Sequence, residues 1–176
     1  MTTASKVTMV RILLIPFFML VALLEFRHSD IIALAIFLLA SATDGLDGYI
    51  ARKYKQISDF GKFIDPLADK LLVTSALLIF VQWGIVPAWA LMVVLTREFA
   101  VSGLRMIAAA KGEVIAAGGS GKIKTVVTIL GIAFMLATVN MEIVLGNQIA
   151  TALILLTTVY SGIEYFAKNY KALEIK

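Results

Sequence analysis

Long apolar runs separated by short polar turns set the rhythm of this chain. The first extends from about Thr8 to Phe26 and contains Pro16, which a membrane helix tolerates with at most a mild kink. A turn from Arg27 to Asp30 leads into the second, about Ile31 to Arg52, whose first part, IIALAIFLLASAT, is uncharged. The basic segment RKYKQISD precedes a third run, about Phe60 to Trp83, in which the polar residues come first and LLVTSALLIFVQW follows. After the uncharged turn from Gly84 to Pro87 the fourth runs to about Ala110; beyond the glycine-rich loop KGEVIAAGGSGK come the fifth, from near Lys122 to near Asn140, and the sixth, about Gly146 to Ala167. Each is close to the ~20 residues that a helical membrane crossing needs. The pattern predicts an all-α polytopic membrane protein with six transmembrane helices. Five spans with one re-entrant segment is the alternative. Residues 1–176 read as a single domain without internal repeats, with 1–7 a short interfacial arm and 168–176 a basic tail.

Composition agrees with that pattern. The 176 residues are 60% hydrophobic, with 16% charged and a mean hydropathy of +0.92; a soluble domain of this length has no interior for so much apolar surface. There is no cysteine, so disulfides, thiolate metal sites and cysteine nucleophiles are excluded. The net charge of +4 is better explained by cytoplasmic loops and anionic lipid than by nucleic acid. The first apolar run has no small-residue cleavage site and reads as retained. With six spans, one side collects Lys6, Arg11, Arg52, Lys53, Lys55, Lys62, Lys111, Lys122, Lys124, Lys168, Lys171 and Lys176, whereas the opposite loops hold only Arg27. The positive-inside rule makes the crowded side, and both termini, cytoplasmic.

The stretch DGLDGYIARKYKQISDFGKFIDPLAD, Asp44 to Asp69, departs most from a lipid-facing composition. Its pattern is D-x2-D-G-x2-A-R-x8-G-x3-D-x3-D. In a helix, Asp44, Asp47, Gly48 and Ala51 share one face, and Gly61, Asp65 and Asp69 share one face of the next. A short connection makes the two helices antiparallel neighbours, so that the aspartates converge. Carboxylates this close raise one another's pKa, and burial adds a desolvation cost. They retain protons or hold cations, and oxygen ligands at this density suit Mg2+, Mn2+ or Ca2+ and not zinc. The glycines and Ala51 leave room for a ligand beside the backbone. Packing notches with carboxylate–cation pairs are the bland alternative; ionisable groups in a membrane are costly and usually functional.

The cations form a second group. Arg97 and Arg105 lie two turns apart on nearly one face of the fourth helix, and Lys122 and Lys124 open the fifth. Arginine forks match phosphate oxygens, so this group suits a second anion. An internal Arg97–Glu98 ion pair and juxtamembrane anchoring by the two lysines are the structural alternatives. Arg11 suits either a snorkelling anchor or a phosphate contact. His28, the only histidine, reads as a solvated turn residue. Aspartates and cations together fall in the cytoplasmic half, with Asp44 roughly 12 Å deeper than Arg52 at helical rise. The expected picture is a polar cavity open to the cytoplasmic side.

The pattern from Asp44 to Asp69 resembles the signature of the CDP-alcohol phosphatidyltransferases, with every signature position present. In that family the start of the chain often reads N-P-N-x-x-T-x-x-R; Thr8 and Arg11 match its end, and Ser5-Lys6 replaces its opening. TREFAVSGLR (96–105) and GKIKT (121–125) look like the branch whose acceptor is sn-glycerol 3-phosphate. The resemblance implies transfer of a phosphatidyl group from CDP-diacylglycerol to that acceptor, with release of CMP. It implies Mg2+ or Mn2+, two ions, held by Asp44, Asp47, Asp65 and Asp69. It further implies CDP-diacylglycerol contacts at Asp47, Gly48, Ala51, Arg52 and Gly61, and Asp69 as general base. Acceptor phosphate would be met by Arg97, Arg105, Lys122 and Lys124, with Thr8 and Arg11. A homodimer in the cell membrane, with no nucleic-acid partner, completes the expectation. Inositol phosphate, inositol or serine are the alternative acceptors. Outside the family, a cation-coupled transporter would show inverted repeats, and a prenyl-diphosphate enzyme the denser D-D-x-x-D motif; neither is seen in the sequence.

Overall fold

The computed structural model describes residues 3–24, 26–54, 59–112, 115, 118–141 and 143–170, with side chains throughout except at 3–7, 44–54, 59–66 and 69. The described residues are helical with short turns and no strand: α1 (Thr3–Leu23), α2 (Ser29–Tyr54), α3 (Asp59–Gln82), α4 (Ala88–Ala110), α5 (Gly119–Thr138), a 3-10 turn (Val139–Met141) and α6 (Val144–Asn169). Each predicted apolar run falls on one helix. Two starts differ. α1 begins at Thr3, inside the stretch read as an arm, and α5 begins at Gly119, so part of the glycine-rich loop is the first turn of a helix.

The turns follow local chemistry. Gly84 and Gly112 adopt φ of +71° and +80° after α3 and α4, a conformation glycine takes without a Cβ penalty. Pro87 precedes α4 in an extended conformation, where its missing N–H breaks no helical bond. His28 takes φ +70° in the turn before α2 and is exposed, as its charged neighbours suggested.

Polar contacts tie the helices to one another. Arg11 in the first half of α1 meets Thr43 in the second half of α2, and Lys70 midway along α3 meets Ser102 in the second half of α4. Glu98 of α4 meets Lys124 early in α5, while at the opposite end Asn140 donates to Asp30 at the start of α2. α1 packs extensively on both α2 and α3, more than these touch each other among the described residues. The expected α2–α3 neighbours therefore do meet, with α1 laid against both. α5 packs on α6, α4 on α6, and α2 on α5.

One apolar core fills the half away from the signature: Phe18 of α1, Phe37 of α2, Phe80 of α3, Val94 of α4, Met135 of α5 and Ile154 of α6 belong to it. Phe18 and Phe37 meet with ring centroids 5.9 Å apart and tilted, a favoured aromatic geometry. Ala33, Ala40, Ala76 and Ala90 are buried at helix contacts; small residues there let backbones approach closely, the packing that works in lipid. The outside is also apolar. Leu13, Phe99, Leu130, Leu156 and Ile163 are all more than 60% exposed, contrary to the small patches of a soluble monomer. Gly119–Met141 and Val144–Asn169 are long and apolar enough to cross a bilayer, with only 28% and 33% of their apolar stretches buried, unlike core helices of a water-soluble fold. Shorter apolar stretches lie at Thr8–Leu23, Ser29–Thr43 and Lys70–Gln82. The chain is a membrane protein.

Candidate active site

The carboxylate segment lies on two helices. α2 is unbroken through Asp44, Asp47, Gly48, Ala51 and Arg52, and α3 through Gly61, Asp65 and Asp69. The side chains of these eight residues lie outside the described residues, so the backbone carries the point: with both segments helical, the i, i+3 and i, i+4 spacings put each pair of carboxylates on one side of its helix. The donor set is carboxylate alone, without thiolate, and this is the set that hard divalent cations take. The residues fit Mg2+ or Mn2+. Among the described residues no other group of His, Asp or Glu is suited to a metal ion.

α1 brings a cation to the residue before this segment. Thr8 and Arg11, one turn apart, are both fully buried, so Arg11 is not a snorkelling anchor. Its Nε donates to Thr43 Oγ1 at 3.2 Å, and Thr43 Oγ1 in turn donates to the Ala40 carbonyl at 2.6 Å. Thr43 immediately precedes Asp44. This bond of Arg11 thus goes to the carboxylate helix.

Those cations are brought together in part. Glu98 Oε1 accepts from Arg97 Nη1 at 3.0 Å and from Lys124 Nζ at 2.6 Å, with side-chain exposures of 17% for Glu98, 13% for Arg97 and 8% for Lys124. The Arg97–Glu98 ion pair envisaged from sequence is present, and Lys124 joins it. The Arg97 side chain runs past two glycines, its stem by Gly162 and its guanidinium by Gly121. A Cβ on Gly162 of α6 would stand 3.0 Å from Arg97 Cγ, and one on Gly121 of α5 would stand 3.7 Å from its Nη2. Arg97 Nε is buried without a hydrogen-bond partner among the described residues, a costly state that a bound acceptor would relieve. Arg105, about 12 Å further along α4 at helical rise, is exposed. It donates from Nε to Tyr165 Oη at 3.0 Å and stands 5.3 Å from the centroid of that ring. Lys122 is exposed. The group is therefore graded, with Arg105 and Lys122 outside and Arg97 and Lys124 within.

Three contacts were not foreseen. Lys70, next to Asp69, donates to Ser102, whose hydroxyl donates to the Glu98 carbonyl at 2.7 Å; this string ties the carboxylate helix α3 to the cation helix α4. Tyr165 orients Arg105, and Gly162 makes space for Arg97. Tyr165 and Gly162 sit in IEYFAKN and its preceding turn, where a polar aromatic and a glycine near a charged helix end gave the only hint.

A family model, CDP-alcohol phosphatidyltransferase, matches residues 1–161. The chain belongs to the CDP-alcohol phosphatidyltransferase family. It is similar to the CDP-diacylglycerol–glycerol-3-phosphate 3-phosphatidyltransferase of Bacillus subtilis (strain 168), with 43% identity covering 97% of this chain and 96% of the relative. The protein of the same name from Haemophilus influenzae is 37% identical over 90% of this chain and 88% of its own length. A probable phosphatidylglycerophosphate synthase of Mycobacterium tuberculosis is 34% identical over 94% and 80%. The family match extends well beyond the 44–69 signature, through α4 and α5 and most of α6. The chain is accordingly a transferase of this family.

Proposed function

We propose that this enzyme transfers the phosphatidyl group of CDP-diacylglycerol to sn-glycerol 3-phosphate, giving phosphatidylglycerophosphate and CMP. The observation that carries the acceptor is the Arg97–Glu98–Lys124 cluster with Arg105 outside it: a phosphate-bearing acceptor uses these cations, and a neutral one does not. The names of the relatives point to the same acceptor.

In this reading six helices cross the membrane, both termini are cytoplasmic, and the polar end opens to the cytoplasm. CDP-diacylglycerol keeps its acyl chains in lipid. Asp44, Asp47, Asp65 and Asp69 hold Mg2+ or Mn2+. When bound, such ions neutralise pyrophosphate oxygens and polarise phosphorus. Gly48, Ala51 and Gly61 admit the cytidine diphosphate beside the backbone, Asp47 borders it, and Arg52 pairs with a phosphate. Thr8 and Arg11 buttress the Asp44 end of α2. Arg97, Arg105, Lys122 and Lys124 hold the acceptor phosphate and aim its hydroxyl at the lipid phosphorus. Asp69 takes the hydroxyl proton as the new P–O bond forms, and the bond to the bridging oxygen breaks, releasing CMP. No protein nucleophile is used. Positioning and charge neutralisation supply most of the rate. The family's homodimer would bury part of the apolar exterior.

Kinetics of Arg97→Ala and Lys124→Met test the assignment. Each should raise the KM for glycerol 3-phosphate by roughly tenfold or more, the loss of one charge-assisted bond, and leave the KM for CDP-diacylglycerol unchanged. Equal shifts in both constants would remove these residues from an acceptor-specific role.

A further inference from the structure

The acceptor cations share their pocket with an anion of the chain's own. A single oxygen of Glu98 takes both Arg97 Nη1 and Lys124 Nζ. The backbone beneath it is tied across to α3 as well: the Glu98 carbonyl accepts from Ser102, which Lys70 of α3 holds in turn. A pocket selected only to grip phosphate would gain nothing from a carboxylate on its two inner cations. A phosphate reaching Arg97 and Lys124 comes within a few ångströms of Glu98, and like charges at that range repel strongly where water is scarce. The buried, unpartnered Nε of Arg97 shows at the same time that Glu98 leaves donor capacity for an incoming group. Tight ground-state binding does not by itself raise turnover.

We propose that Glu98 is a specificity-determining residue, a resident anion that weakens the grip of the pocket on phosphate alone. Productive binding then depends on the remainder of the acceptor, whose hydroxyls supply what the phosphate does not. Inorganic phosphate and other small phosphate anions of the cell are held poorly, and the phosphorylated product leaves readily. This inference rests on the acceptor reading above and adds to it the means by which phosphate-bearing competitors are refused.

Binding of inorganic phosphate and of glycerol 3-phosphate to the purified full-length protein in detergent tests this, with thermal denaturation to verify folding. Glu98→Gln should bind inorganic phosphate roughly tenfold tighter or more, with a smaller gain for glycerol 3-phosphate, and Glu98→Asp should stay near wild type. Unchanged or weaker phosphate binding by folded Glu98→Gln would overturn the proposal. A second measurement needs no variant: inorganic phosphate should inhibit the wild-type enzyme only at concentrations at least about tenfold above the KM for glycerol 3-phosphate, and inhibition at or below that KM would also overturn it. The underlying acceptor reading fails separately, if Arg97→Ala leaves glycerol 3-phosphate binding intact.

Discussion

Replacing Gly162 by valine probes the acceptor pocket from behind. The Cβ alone would stand 3.0 Å from Arg97 Cγ, against the ~3.5–4.0 Å of a comfortable carbon–carbon contact. Valine adds two methyl groups to that overlap. Overpacking of this kind costs about 1–3 kcal/mol, and the easiest relief is displacement of the Arg97 stem, since the alternative is separation of α4 from α6. Once displaced, Arg97, whose Nη2 lies beside Gly121 in the first turn of α5, loses its bond to the acceptor phosphate. A hydrogen bond to a charged group is worth about 1.5–3 kcal/mol, so the KM for glycerol 3-phosphate should rise roughly 10- to 150-fold. Gly162→Ala, with the Cβ only, should give a smaller rise. The assay is CMP release at saturating CDP-diacylglycerol while glycerol 3-phosphate is varied, with the KM for CDP-diacylglycerol as internal control. A folded valine variant with wild-type acceptor KM would refute the placement of Arg97 in the acceptor pocket.

Further substitutions separate the roles of the two halves. Asp69→Asn should abolish turnover in a protein that still folds, and near-normal turnover would take Asp69 out of the role of base. Tyr165→Phe removes the oxygen that Arg105 Nε donates to while keeping the ring beneath it. Because Arg105 is exposed, the expected rise in acceptor KM is only about two- to fivefold, measured as above, and no change would make that bond incidental. Arg11→Lys keeps the charge and loses the Nε bond to Thr43; it should raise the Mg2+ concentration for half-maximal turnover more than the acceptor KM, and the opposite order would return Arg11 to the acceptor site.

The helices were legible because the chain alternates long apolar runs with turns of few residue types. Gly84 and Pro87 end and begin helices for reasons visible in the residues themselves, and the structure places the turn there. The spacing of Asp44, Asp47, Asp65 and Asp69 could be read as two helical faces because one helix encodes each half of the pattern, and α2 and α3 run through both halves. What joins distant parts of the chain was less accessible. The bond of Arg11 to α2 depends on how α1 lies against its neighbours, and nothing local in TMVRILL distinguishes a buried arginine from a snorkelling one. Similarly, Lys122 and Lys124 are two residues apart, yet one is exposed and the other is buried on Glu98. α5 runs through both, and positions two apart in a helix lie roughly 200° apart around its axis, so which of the two is buried is decided by the packing of α5 on its neighbours. Gly162 and Tyr165 acquire their roles only from the packing of α6 on α4.

The central claim is the reaction, and CMP release by the purified protein measures it most directly. The protein is given CDP-diacylglycerol and Mg2+ or Mn2+, and glycerol 3-phosphate, inositol, inositol phosphate and serine are compared as acceptors. Release with glycerol 3-phosphate alone is the predicted result. Release with another acceptor in its place would contradict the reading of the Arg97–Lys124 pocket, and no release with any acceptor from folded, metal-supplied protein would contradict the reaction itself.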